Sequence, residues 1–93
     1  MKIGLLQMDL VFEACNSLKD KRSILQAIKH RLRSSHNVSV AEIGDHDIWR
    51  RCQLGAVAIG NEAGSVEKIF RAVLAEIEGR ADTVVSDFQI EML

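Results

Sequence analysis

A chain of 93 residues holds one domain core and excludes two, since domains run from about 50 to 250 residues. Hydrophobic residues make up 47% and charged residues 27%, enough apolar surface for a core, and a net charge of -1 excludes any whole-molecule pull toward nucleic acid or anionic lipid. An affinity of that kind needs a local patch. No apolar run approaches the roughly 20 residues of a membrane span, and the start at Met1 lacks the apolar segment of a signal peptide, so the expectation is a cytoplasmic protein with no membrane partner.

From Lys2 to Glu13 polarity alternates, with Leu6, Met8, Leu10 and Phe12 on one side and Ile3, Leu5, Gln7, Asp9, Val11 and Glu13 on the other, as in a strand with one buried face. Ser17 followed by Asp20 three residues later fits a capping box that starts a helix at Leu18. Leu18, Leu25, Ile28 and Leu32, with Ile24 beside them, give that helix an apolar stripe to about Ser34. Asn37 to Ile43 reads as a second strand. The turn formers Gly44, Asp45, His46 and Asp47 then predict a hairpin-like connection to a third strand over Arg50 to Ile59. In that third strand Cys52, Leu54, Ala56 and Ala58 are the predicted core face, with Gln53, Gly55, Val57 and Ile59 outside. Val66, Ile69, Phe70, Val73, Leu74 and Ile77 keep the helical period until Gly79. Asp82 to Leu93 closes the chain as a strand, with Val84, Phe88, Ile90 and Met92 inward and Asp87, Gln89 and Glu91 outward.

The order βαββαβ predicts an α+β domain over residues 1–93 with the ferredoxin-like architecture, a four-stranded antiparallel sheet with two helices on one face. Alternating strands fit a sheet covered on one side only, because strands buried on both faces read as continuous apolar runs. The first and third strands are expected to be parallel neighbours at the sheet centre, which would hold Cys15 far from Cys52 and beyond disulfide reach. Neither cysteine lies in a CxxC pair or a metal-ligand spacing, so both are expected to be free thiols.

Three segments together, Ser17 to Arg22, Asn37 to Glu42, and the set Asp47, Trp49, Arg51, Leu54 and Gly55, resemble the YlxP-like family of small bacterial proteins over nearly the whole chain. The resemblance implies a ferredoxin-like fold and a domain of unknown function, with no established catalytic residues to carry over. Genes of that family often stand beside those for translation initiation and ribosome maturation, which implies a role near RNA. Gly44 to Asp47 departs from the commoner family wording, so the resemblance leaves the role of the Gly44 to Trp49 hairpin open.

Charge is concentrated in the first helix: Lys19, Lys21, Arg22, Lys29, Arg31 and Arg33 face a single acid, Asp20. Lys19, Arg22, Gln26, Lys29 and Arg33 follow spacings of three and four and share one outer face, with His30 beside them. Such a row is either plain solvated surface or a track for phosphates, where each neutralised phosphate releases counterions. Lys21 lies near the apolar stripe and is expected to snorkel past the sheet edge. An RNA-recognition-motif mode is disfavoured, because Phe12, Phe70 and Phe88 fall on predicted core faces and the open face lacks stacking aromatics. RNA would therefore meet the helix side and the hairpin, where Arg50 and Arg51 add charge.

The best reading from sequence is a non-enzymatic RNA- or ribosome-associated module whose RNA-binding residues are Lys19, Arg22, Lys29, Arg33, Arg50 and Arg51, with no cofactor. The alternative is a dimeric protein-interaction or small-ligand regulatory domain using the open sheet face at Ile3, Leu5, Val57 and Ile59. Trp49 serves there as an interface anchor or else as packing for the hairpin. An enzyme would have only Asp9, His46, Glu42 and Cys15 as actors. A metal site at Asp45, His46 and Asp47, approached by His36 or Glu42, is disfavoured because adjacent residues do not easily converge on one ion.

Overall fold

A strand whose side chains alternate in polarity must lay one face on something apolar, and a helix with an apolar stripe is the usual cover. The computed structural model describes all 93 residues and realises that pairing twice. The elements are β1 (Lys2–Val11), α1 (Leu18–Ser35), β2 (Ser39–Gly44), β3 (Arg51–Gly60), α2 (Ala63–Glu78) and β4 (Val84–Met92). The sheet order is β2-β3-β1-β4, every neighbouring pair is antiparallel, and the architecture is the expected α+β ferredoxin-like one. Helix α1 lies over β2 at one side of the sheet, and α2 lies over β1, β3 and β4.

Between sheet and helices, Leu6, Met8, Leu10 and Phe12 meet Cys52, Leu54, Ala56 and Ala58 from the neighbouring strand, all buried. Leu25, Ile28 and Leu32 of α1 and Val66, Phe70, Val73 and Ile77 of α2 close the core from above. Helix α2 comes so near β1 that a Cβ on Gly4 would stand 2.6 Å from Val66 Cγ1 and 2.7 Å from Phe70 Cε2. Only glycine admits that approach. The capping box at the start of α1 is present: Ser17 Oγ accepts from the Asp20 amide at 3.0 Å, and Asp20 Oδ2 accepts from the Asn16 amide at 3.2 Å, one residue earlier than expected.

Three expectations need correction. First, β1 and β3 are antiparallel, not parallel: the crossover through α1 sets β1 and β2 in one direction, and the β2–β3 hairpin then reverses the chain. As a result Cys15 and Cys52 lie toward the same end of the sheet, with the Phe12 amide donating to the Arg50 carbonyl at 2.9 Å and Arg50 Nε donating to the Cys15 carbonyl at 3.0 Å. Both thiols are nevertheless free and buried. Second, Val84 is not inward. A register shift beside Asp9 sets Val85 opposite Leu10 and Val84 opposite Val11, so Val85 packs on the core and Val84 is 50% exposed on the open face. Phe88 and Met92 do face the helix side, yet at the sheet edge they remain 36% and 37% exposed.

The third correction is Lys21, which does not snorkel. Only 2% exposed, its ammonium stands 3.0 Å from Glu42 Oε2 and donates to the Asp45 carbonyl at 2.5 Å, tying the first turn of α1 to the hairpin. Asp45 has a φ of 61°, the left-handed turn conformation that Asp tolerates better than most residues, and this aims its carbonyl at the lysine.

Candidate nucleic-acid interface

The period of 3.6 residues that buries Leu25, Ile28 and Leu32 turns Lys19, Arg22, Gln26, Lys29 and Arg33 outward along α1. Lys19, Arg22 and Arg33 are exposed and Lys29 is half-buried. None of the four cations stands within 4.0 Å of a carboxylate. The other two cations of the helix are neutralised from outside it, Lys21 by Glu42 and Arg31 by Glu76 at 2.9 Å. Free charge is therefore sorted onto one face.

Two of the sequence-predicted cations also do structural work. An Arg33 Nη donates to the Val40 carbonyl at 2.8 Å, spanning from α1 to β2, and Arg50 holds the Cys15 carbonyl. Both guanidiniums keep their charge, but their positions are set by those bonds. Arg51 is exposed at the start of β3 and, opposite Val11, shares the open face. Trp49 is half-exposed in the loop between β2 and β3, beside Arg50.

On the open face, Ile3 is opposite Ile59, Leu5 opposite Val57, and Asp9 lies between Gln53 and Asp87. Ile3 and Leu5 are half-buried, whereas Val57 and Ile59 are 42% and 51% exposed. A depression of about 230 Å³ lies at the polar end, lined by Gln7, Asp9, Ile43, Gln53, Asp87 and Gln89. None of the residues lining this depression carries a positive charge, and Asp9 and Asp87 make it acidic, so the depression itself offers phosphate nothing.

Glu42 points to the helix side near Cys52, and His46 Nε2 stands 4.0 Å from Glu42 Oε1. Burial, with the Glu42 charge next in weight, pushes the Cys52 thiol up to about 12, so it is a neutral thiol at physiological pH and no nucleophile. Asp9 is on the opposite side of the sheet from this group. His36, considered above as a metal ligand near the hairpin, lies elsewhere and approaches Glu76 of α2 at 2.6 Å. Burial would raise the Glu76 carboxyl, but hydrogen bonds from His36 and Arg31 outweigh it and hold the group below the usual carboxylate range. No three His, Cys, Asp or Glu side chains converge on one point, at Asp45 to Asp47 or elsewhere.

Sequence reasoning missed the Lys21–Glu42–Asp45 tie and the Arg31–Glu76–His36 bridge. The first had one readable signal, a lysine on the buried side of a helix, since a charge is rarely fully buried without a partner.

Residues 3–90 match the family described as a protein of unknown function, DUF503. The chain is also 36% identical over 76 residues to an uncharacterised protein, YlxP, of Bacillus subtilis strain 168, a match covering 82% of this chain and 83% of that relative. No helix is long and apolar enough to cross a membrane. With the family match spanning residues 3–90 and the relative 36% identical over most of both chains, the chain belongs to the DUF503 family, whose function is uncharacterised.

Proposed function

We propose that the protein is a non-enzymatic module that associates with structured RNA, as in the ribosome, through α1, with Lys19, Arg22, Lys29 and Arg33 meeting phosphates and Arg50 and Arg51 extending the charge at the hairpin. One observation carries the reading: four helix cations share one face with no carboxylate in ion-pair range, while the helix's other two are neutralised by acids from outside it. A row of that kind neutralises successive phosphates without reading bases, so affinity must fall steeply with salt. The test is a salt series of binding to a structured RNA for wild type and for the triple variant Lys19→Glu, Arg22→Glu, Lys29→Glu, which leaves the Arg33 bond to β2 intact. The slope of log affinity against log salt is expected to shrink by about two to three. Superimposable curves would overturn the reading.

A second reading, a protein- or small-ligand-binding sheet face, is favoured by the exposure of Val57 and Ile59 beside Ile3 and Leu5. The same titration with Val57→Lys and Ile59→Lys separates the two. RNA bound along α1 is indifferent to these changes or gains from their charge, whereas an apolar partner on the face loses its contact.

A further inference from the structure

The two margins of the sheet are unequal. At the β2 margin the strand is six residues long, its register shifts between Glu42 and Gly44, and Arg33 occupies the Val40 carbonyl. At the β4 margin, nine residues run with no strand beyond them; the register shift beside Asp9 is confined to Val85–Asp87, and from Asp87 onward the strand is regular and carries neither lysine, arginine nor proline. Those residue types are the usual guards of an exposed edge.

The Leu93 amide donates to the Ile3 carbonyl at 2.8 Å, and Glu91, Gln89 and Asp87 follow at alternate positions opposite Leu5, Gln7 and Asp9. In an antiparallel ladder alternate residues bond the neighbouring strand, so the intervening Phe88, Ile90 and Met92 turn their amides and carbonyls outward. Asp87 Oδ1 accepts from the Phe88 amide at 2.9 Å, which shows that amide facing away from β1. Ile90 and Met92 have no such closure. On the helix side the same three residues form a half-covered apolar row.

We infer that β4 is a self-pairing edge: two copies of this chain join antiparallel through Asp87 to Leu93 with Ile90 on the two-fold axis, making a continuous eight-stranded sheet. The charge pattern favours that register over the slips on either side of it, centred on Gln89 or Glu91. With Ile90 opposite itself, Phe88 stands opposite Met92 of the second copy, Gln89 opposite Glu91, and Asp87 opposite Leu93, so no acid faces an acid. A slip that centres the pair on Gln89 sets Asp87 opposite Glu91 twice, and like charges directly opposite are destabilising. The chosen register also joins the outward-facing residues to one another, giving about six inter-chain backbone hydrogen bonds once Asp87 releases the Phe88 amide. The Phe88, Ile90, Met92 row of one copy continues into that of the other, covering side chains that are a third or more exposed at Phe88 and Met92. Because α1 lies over the far margin, the basic face stays free at both ends of the dimer.

The experiment is sedimentation equilibrium from dilute to millimolar protein in the absence of RNA, so its outcome is separate from that of the RNA reading. Concentration-dependent dimerisation is expected, with Gln89→Lys tightening it and Gln89→Glu loosening it by about fivefold each, because residue 89 meets Glu91 of the second copy twice. Gln89 is exposed and neither change touches the core. Amide exchange then locates the contact: at high concentration Ile90 and Met92 gain protection and the β2 margin does not. A monomer at all concentrations overturns the inference, as does a dimer in which both variants shift association the same way or neither shifts it. Protection that appears away from β4 overturns it too.

Discussion

The β2 margin and the β4 margin carry the same liability, a row of backbone groups with no strand to meet, and the molecule treats them differently. Helix α1 overhangs β2, so its own side chains reach the backbone: Arg33 to Val40 and Lys21 to Asp45. Helix α2 lies over β1, β3 and β4, drawn down by the missing side chain at Gly4, and of its residues it is Arg71 that reaches the β4 margin, its guanidinium 5.5 Å from the centre of the Phe88 ring. That contact covers a side chain and leaves the backbone open. The contrast teaches that edge protection here follows from helix placement, with cations near the edge serving as the means.

The hardest blow to this contrast is Lys21→Met. The change keeps apolar volume but strips Glu42 Oε2 of the charge 3.0 Å away, and that oxygen is buried with no other hydrogen-bond partner. Removing one member of a buried pair costs about 3 to 5 kcal/mol, and the lower figure applies because the Glu42 side chain keeps a fifth of its exposure. Urea denaturation should show a loss of about 3 kcal/mol, and adding Glu42→Gln should recover much of it. A loss below about 1 kcal/mol would mean that the hairpin is held by its own turn and not by α1.

A smaller effect probes the same corner from the other side. Cys52 has a thiol raised from 9.0 to about 12, by burial first and then by Glu42. Below pH 9 the thiol is protonated in both folded and unfolded chains and contributes nothing to pH dependence. As pH rises from 9.0 toward 12 the unfolded chain releases this proton and the folded chain holds it, so stability declines. Wild type should therefore lose about 1 to 2 kcal/mol more than Cys52→Ala between pH 9 and 10.5, read from denaturation curves at the two pH values. Equal declines would place the thiol in contact with water.

Much of this corner was invisible in the linear sequence, and the reasons are specific. Period and alternation reveal which residues of one element share a face, and they correctly select the buried apolar residues of β1, α1, β3 and α2. They say nothing about what stands opposite. Lys21 reads as an amphipathic lysine until the fold brings Glu42, 21 residues later, over it. Arg33 and Arg50 read as free cations because their partners are backbone carbonyls, which every position carries. Val84 reads as inward because strict alternation has no place for the register shift beside Asp9. The direction of β3 against β1 follows from combining the crossover with the hairpin, a fact of connectivity that no single segment encodes.

The least change expected concerns the polar tie between the half of the molecule under α1 and the half under α2. Glu76 accepts from Arg31 Nε at 2.9 Å and stands 2.6 Å from His36 Nε2, so the carboxylate is opposed by burial but held charged by two donors. Its folded pKa lies below the usual 4.5, hence the tie is fully present above that value and is lost as acid protonates the folded carboxylate. Arg31 is 71% exposed, so water screens that arm and the whole tie is worth about 0.5 kcal/mol. Glu76→Gln should lower the melting temperature slightly at pH 7 and not at all well below pH 4, where wild type has surrendered the same charge. Were the two proteins to differ equally at both pH values, the contribution would be packing of the side chain, and the two halves would be joined through the core alone.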